Sequence, residues 1–139
     1  MAFWKFEIRI KRQITQKFKM NPKTLGDHIR RKRIMLNQLQ KDVADCLQVS
    51  EDTITGWENN RTQPMIHNYP SIIKYLGYMP ILVNQDSIGG RIFHYRCING
   101  INQKKLAKLV NVEASTVASW EKGEFKPNPR ALKRLLKLL

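Results

Sequence analysis

The sequence predicts an all-α protein built as two tandem bundles of four to five short helices each. Three observations carry this. Residues 24–64 and 87–127 superimpose at a constant offset of 63 without a gap. Apolar residues in each copy recur at helical spacing. Polar residues suited to starting and stopping helices stand at the ends of those runs.

The repeat is read from identical pairs. Gly26/Gly89, Ile29/Ile92, Arg33/Arg96, Gln40/Gln103, Lys41/Lys104 and Ala44/Ala107 open it, and Val49/Val112, Thr53/Thr116, Trp57/Trp120, Glu58/Glu121 and Pro64/Pro127 continue it. Apolar residues replace one another between these: Leu25/Ile88, Val43/Leu106, Leu47/Val110 and Ile54/Val117. Self-similarity at a fixed period marks a duplicated structural unit.

Each element follows from local pattern. Leu25, Ile29 and Leu36 mark a first helix of about three turns after the Pro22 to Thr24 entry. Gln40 to Leu47 is a short second helix with Val43, Ala44 and Leu47 on one face. Ser50 is a good N-cap for a third helix from Glu51 to Asn59. The second copy repeats this with Gln103–Val110 and a helix from about Glu113 to Lys122. Gly123 falls where a left-handed residue closes a helix, and Asn60 holds that place in the first copy. Tyr69, Ile72, Ile73 and Leu76 predict a closing helix ending at Gly77, with its counterpart from Ala131 to Leu139. The organisation read from this is a basic arm (1–22), a first domain (23–80), a bridge (81–86) and a second domain (87–139). Each domain lies near the lower size limit for independent folding. The run Ile81 to Val83 is expected to pack between the bundles.

Composition narrows the function. The formal net charge of +14 points to a polyanionic partner, nucleic acid or an anionic membrane surface. No apolar run approaches a membrane span, and nothing at the N-terminus resembles an export signal. Cys46 and Cys97 stand far apart, outside metal or redox spacing, and fit buried thiols in a reducing cytosol. His28, His67 and His94 are too dispersed for a metal site. No paired carboxylates outside the third helix, Gly-rich phosphate loop or Cys/His dyad suggests catalysis, so the expectation is a non-enzyme without cofactor.

Two short helices around a tight turn, the second capped by Ser and rich in small polar residues, match helix-turn-helix geometry, in which the second helix enters the major groove. Ala44 suits the close approach of the two helices, while Val49 and Ile54 plug the core. Spacing alone also fits a generic helical hairpin. The segments QKDVA (Gln40 to Ala44) and VSEDTITGWENNRTQP (Val49 to Pro64) resemble the phage-repressor/Cro-like, or XRE-type, helix-turn-helix family. QKKLA (Gln103 to Ala107) and VEASTVASWEKG (Val112 to Gly123) resemble it again, giving two tandem lambda-repressor-like copies. Asn60 departs from the family's usual Gly, and Asn37 and Gln48 stand where Gly is frequent, which bears on loop geometry.

The resemblance implies roles for individual positions. Gln40 and Gln103 would hydrogen-bond a phosphate, with Lys41, Lys104 and Lys105 beside them. Glu51, Asp52, Thr55 and Gly56 would face the bases, alongside Thr53, in the first copy. Ala114, Ser115, Ala118 and Ser119, alongside Thr116, would do so in the second. Asn60, Arg61, Thr62, Lys122 and Lys126 would touch the sugar-phosphate backbone. Arg33 with Glu58, and Arg96 with Glu121, look like the family's structural ion pairs.

The charge is unevenly spread. Residues 1–23 carry seven basic and one acidic residue, 24–86 seven of each, and 87–139 eleven and three. Phosphate neutralisation supplies most non-specific affinity, so the second copy and the arm are expected to carry it. Glu51 and Asp52 either accept from cytosine N4 or merely complement the helix dipole. The arm alternates from Trp4 to Lys11 like a strand that pairs with a second chain in a homodimer, or follows the DNA backbone; a helical reading and a start at Met20 also remain open. The expected function is a bacterial or phage-borne, sequence-specific transcriptional regulator on double-stranded DNA, in the cytoplasm at the nucleoid. The alternative is an antitoxin or adaptor whose first domain binds a protein and whose second binds DNA.

Overall fold

The computed structural model describes residues 21–139, so the strand-like N-terminal pattern lies outside the described residues. The described residues form eight α-helices and one 310 turn, with no strand among them. In order these are α1 (Leu25–Met35), α2 (Gln40–Leu47), α3 (Glu51–Glu58), the 310 turn (Ile66–Asn68) and α4 (Tyr69–Leu76), then α5 (Ile88–Asn99), α6 (Gln103–Val110), α7 (Ala114–Lys122) and α8 (Pro129–Leu136).

Local chemistry explains where the helices start. Thr24 Oγ1 accepts from Asp27 N at 3.1 Å, and the Asp27 carboxylate accepts back from Thr24 N at 3.1 Å, satisfying two orphan donors of α1 reciprocally. Ser50, Ser87, Asn102 and Asn128 cap α3, α5, α6 and α8, each accepting from the N–H three residues on. α2 lacks a polar cap side chain, and Asp42 instead accepts from Leu39 N at 2.7 Å.

Helix ends repeat at the same offset of 63. Asn37 and Gly100, Gln48 and Asn111, and Asn60 and Gly123 all adopt positive φ, between 56° and 74°. A left-handed residue lets the chain reverse and gives the last carbonyls of the helix a partner. Asn tolerates that conformation through its short polar side chain, so replacing Gly at positions 37 and 60 leaves these turns unchanged. Gln48 has no such relief and carries the steric cost of its Cβ.

The apolar residues gather into two cores. One joins Ile29, Val43, Leu47, Ile54, Trp57 and Ile72; the other joins Ile92, Leu106, Val110, Val117, Trp120 and Leu135. The members correspond one to one at the repeat offset. Gly26 and Gly89 serve these cores by their lack of a side chain: a Cβ at Gly26 would lie 1.8 Å from Trp57 O, and one at Gly89 2.3 Å from Trp120 O. The first helix of each half thus meets the backbone at the end of its third. Between the halves, α4 and the 310 turn pack against α5. At that seam a Cβ on Gly100 would meet Pro70 Cγ at 2.9 Å. The Tyr69 phenol there is pushed up by burial and by the neighbouring Cys97.

Several sequence expectations are corrected. α1 ends at Met35, and Leu36, expected on its buried stripe, is turned outward as the C-cap and half exposed. Within the bridge only Ile81 packs against a core; Leu82 is fully exposed because the irregular backbone turns successive side chains opposite ways. Cys97 is buried but Cys46 is exposed on α2. The last helix starts at Pro129, two residues before the expected Ala131, because Asn128 caps it directly. Leu138 and Leu139 still pack against the second core.

Candidate nucleic-acid interface

In each half two eight- or nine-residue helices flank a three-residue turn: α2 and α3 around Gln48 to Ser50, α6 and α7 around Asn111 to Glu113. Val49 N donates back to Ala44 O at 3.0 Å, and Val112 N to Ala107 O at 2.9 Å. Ala44 and Ala107 are buried where the paired helices come together, which is the close approach a methyl side chain permits.

A bidentate ion pair joins the first and third helices of each half. Arg33 Nε and Nη2 donate to Glu58 Oε1 and Oε2 at 2.7 and 2.8 Å, while Nη1 donates to Gln38 O at 3.1 Å. Arg96 Nε and Nη2 donate to Glu121 at 2.6 and 2.9 Å, and its Nη1 to Ile101 O at 3.1 Å. The fork geometry, with two parallel charge-assisted bonds, makes such a pair strong and directional. Hydrogen bonding to Glu58 is the chief cause that holds the Arg33 guanidinium above its ordinary range. The glutamines expected to meet phosphate join the same networks. Gln40 Nε2 donates to Glu58 Oε2 at 2.9 Å, and Gln103 Nε2 to Glu121 Oε2 at 2.8 Å. An amide nitrogen carries two donors, so this inward bond orients each glutamine while leaving a second N–H for another acceptor. Thr55 Oγ1 donates to Gln40 Oε1 at 2.9 Å; Ala118 stands at the corresponding place in the second half.

The remaining residues read from sequence fall into three groups. Lys41, Glu51, Asp52, Arg61, Lys104, Lys105, Ser115, Lys122 and Lys126 are exposed. Thr53, Thr116 and Ser119 are half-buried, and Thr53 Oγ1 lies 2.7 Å from the capping Ser50 Oγ. Asn60 and Thr62 are exposed as well, while Ala114 and Gly56 lie against the protein's own atoms. Ala114 packs against the second core. Gly56 is buried, and a Cβ there would come within 2.8 Å of Thr62 Oγ1. Asn60 accepts from Thr24 Oγ1 at 2.7 Å and donates to Asp27 Oδ1 at 3.2 Å, which ties its loop to the start of α1 and, as in Gln40, leaves a second N–H. That Asn60 link is absent from the sequence pattern because its partners lie 33 and 36 residues away.

The two halves present different surfaces. α6 shows Lys104, Lys105 and Lys108, and the end of α7 shows Lys122 and Lys126 nearby. Ser115, Thr116, Ser119, Phe125 and Lys126 line a shallow hollow of about 320 Å³ on α7. Phe125, which sequence reasoning passed over, is 69% exposed there. α3 instead shows Glu51 and Asp52, and the first half exposes Met35, Leu36 and Leu39 around the turn before α2. No helix of the described residues is long and apolar enough to cross a membrane, and no group of three His, Cys, Asp or Glu among them is placed to hold a metal.

Residues 92–139, from α5 to the end of the chain, match the helix-turn-helix family model. One copy is matched, on the strongly basic half, and the match supports DNA binding by that half. Comparison with curated proteins and with solved structures found no match.

Proposed function

We propose that this chain is a sequence-specific regulator of transcription that binds duplex DNA through two tandem helix-turn-helix units, α2–α3 and α6–α7, and performs no catalysis. The repetition of the Arg–Glu–Gln network at the offset of 63 carries the reading: the arrangement in the matched half recurs in the unmatched one. The second N–H of Gln40 and of Gln103 supplies a phosphate donor at the start of each hairpin. Five lysines around α6 and α7 supply the charge-neutralising contacts that give affinity without sequence preference. Ser115, Thr116 and Ser119 would face the groove from α7. The chain-level division is that of the repeat, residues 23–80 and 87–139, each half having its own core.

Selection of bound sequences from a random duplex pool tests this. Enrichment of one motif is expected, and its length reports whether one or both hairpins read bases. Changing Lys104 and Lys105 to Ala should weaken binding to every sequence and lower the salt slope by about 2, roughly one per phosphate contact. Equal affinity for all duplexes would refute sequence-specific regulation.

A second reading is favoured by the exposed Met35, Leu36 and Leu39 and by the acids Glu51 and Asp52. On it the first half meets a protein, as in an antitoxin or adaptor, while the second holds DNA. A stoichiometric partner that co-purifies and is lost on changing Glu51 and Asp52 supports that reading; retention of the partner by this variant counts against it.

A further inference from the structure

The loops that follow α3 and α7 expose different side chains at one equivalent position, Thr62 in the first and Phe125 in the second. In the first half Gly56 leaves room that Thr62 occupies, with a would-be Cβ only 2.8 Å from Thr62 Oγ1. Arg61 N and Thr62 N both donate to Gly56 O, at 2.9 and 3.3 Å, so that loop lies against its helix. At the repeat offset Gly56 becomes Ser119 and Thr62 becomes Phe125. Ser119 carries the Cβ that a residue seated like Thr62 would meet. Glu124 N still donates to Ser119 O at 3.0 Å, but the side chain that follows stands out in solvent, 69% exposed.

A single exposed apolar residue is ordinary on a protein surface, so position must carry the inference. The ring borders the hollow formed by Ser115, Thr116, Ser119 and Lys126, which are the outward residues of α7 and a cation beside them. The hydroxyls there donate or accept and therefore discriminate poorly between bases. Phe125 is the large apolar group at this hollow that reaches solvent. In the major groove the apolar feature that distinguishes a base is the C5-methyl of thymine.

We infer that Phe125 is a specificity-determining residue: its ring contacts a thymine methyl at the edge of the site faced by α7, giving the second half a preference for thymine. This rests on the reading of α7 as the groove-entering helix. The first half carries an exposed but polar Thr62 at this place and lacks that preference.

The test uses the full chain and the duplex obtained by selection, with each thymine replaced in turn by deoxyuridine, which lacks only the methyl. The wild-type protein should bind about 4-fold more weakly when the contacted thymine is replaced, the factor that corresponds to about 0.8 kcal/mol for one buried methylene-sized group. F125A should weaken binding on the order of 10-fold, as expected for losing most of a buried Phe contact, and should erase the thymine-to-deoxyuridine difference. F125L should keep part of it. Wild-type indifference to every replacement overturns the inference, and so does an F125A protein that still discriminates. Loss of affinity by F125A with deoxyuridine discrimination never present would mark a sugar contact and also overturn it. If duplex is bound with the lysine-dependent salt slope but without thymine preference, Phe125 alone fails; if no duplex is bound, the helix-turn-helix reading fails and takes this with it. The wild-type comparison decides even where F125A is destabilised, because it needs no variant.

Discussion

Glu58→Ala removes the carboxylate at the centre of the first half's polar network. Its side chain is 2% exposed and receives Arg33 Nε at 2.7 Å, Arg33 Nη2 at 2.8 Å and Gln40 Nε2 at 2.9 Å. Without it the Arg33 guanidinium, only 16% exposed, keeps its charge and loses two of its three hydrogen bonds. Breaking a buried pair in this way costs about 3–5 kcal/mol. A unit of this size has about 3–8 kcal/mol of stability, at roughly 0.05–0.15 kcal/mol per residue. The change therefore brings the first half close to its unfolding midpoint. Urea unfolding followed through Trp57 and Trp120, which lie in separate cores, in W4F/W120F and W4F/W57F backgrounds respectively, reads the two halves apart. The Trp57 transition should move to much lower denaturant, and the Trp120 transition by less. Replacing both partners, R33M with E58M, should restore much of the loss because no charge is then stranded. A cost under about 1 kcal/mol for E58A, or a double variant no more stable than the single, would refute the assignment of a structural role to this pair.

Two further outcomes concern α1. Gly26→Ala places a Cβ 1.8 Å from Trp57 O, a backbone atom that cannot step aside. It should cost about 3 kcal/mol or more by overpacking, whereas Gly77→Ala, with open space but a φ of 82°, should cost about 1–2 kcal/mol; thermal unfolding that ranks them equally would contradict the close approach. Burial raises the Asp27 carboxyl, but hydrogen bonds from Lys23 N, Asn60 Nδ2 and Thr24 outweigh it and hold the group below its ordinary 3.8. A depressed carboxyl contributes stability that is present above that value and lost as pH falls through the folded one. Gly90 stands at this place in the second half. Acid should therefore loosen the first half's cap below about pH 4, and D27N should flatten that dependence while costing about 1 kcal/mol near neutrality. Parallel pH curves for wild type and D27N, from the Trp57 transition, would count against it.

Much of this architecture was legible in the sequence. Gln40–Leu47 and Gln103–Val110 have the ends that apolar spacing gives, and the cap at Ser50 follows from residue type alone. The Arg33/Glu58 and Arg96/Glu121 contacts span 25 residues, beyond any local rule; they were reached through repetition and family resemblance. What local pattern missed depends on partners distant in the chain. Leu36 keeps helical spacing from Ile29, yet the helix ends one residue before it. Asn60 reads as a loop donor, and its tie to Thr24 and Asp27 at the start of α1 was not visible in that reading.

Side-chain type at a fixed offset is a property of the chain, so the sequence by itself determined the all-helical class, the repeat, the hairpin ends and the uneven charge. Only the tertiary structure decided which polar groups remain available to a ligand. Gln40 is oriented by the buried Glu58 and Gln103 by the partly buried Glu121, Asn60 is tied to α1, and Gly56 lies against Thr62. Phe125 stands exposed beside Ser119 at the hollow on α7. The physical reason is that hydrogen-bond satisfaction and steric exclusion are set by atoms brought together from distant positions, and no periodicity within one helix encodes them.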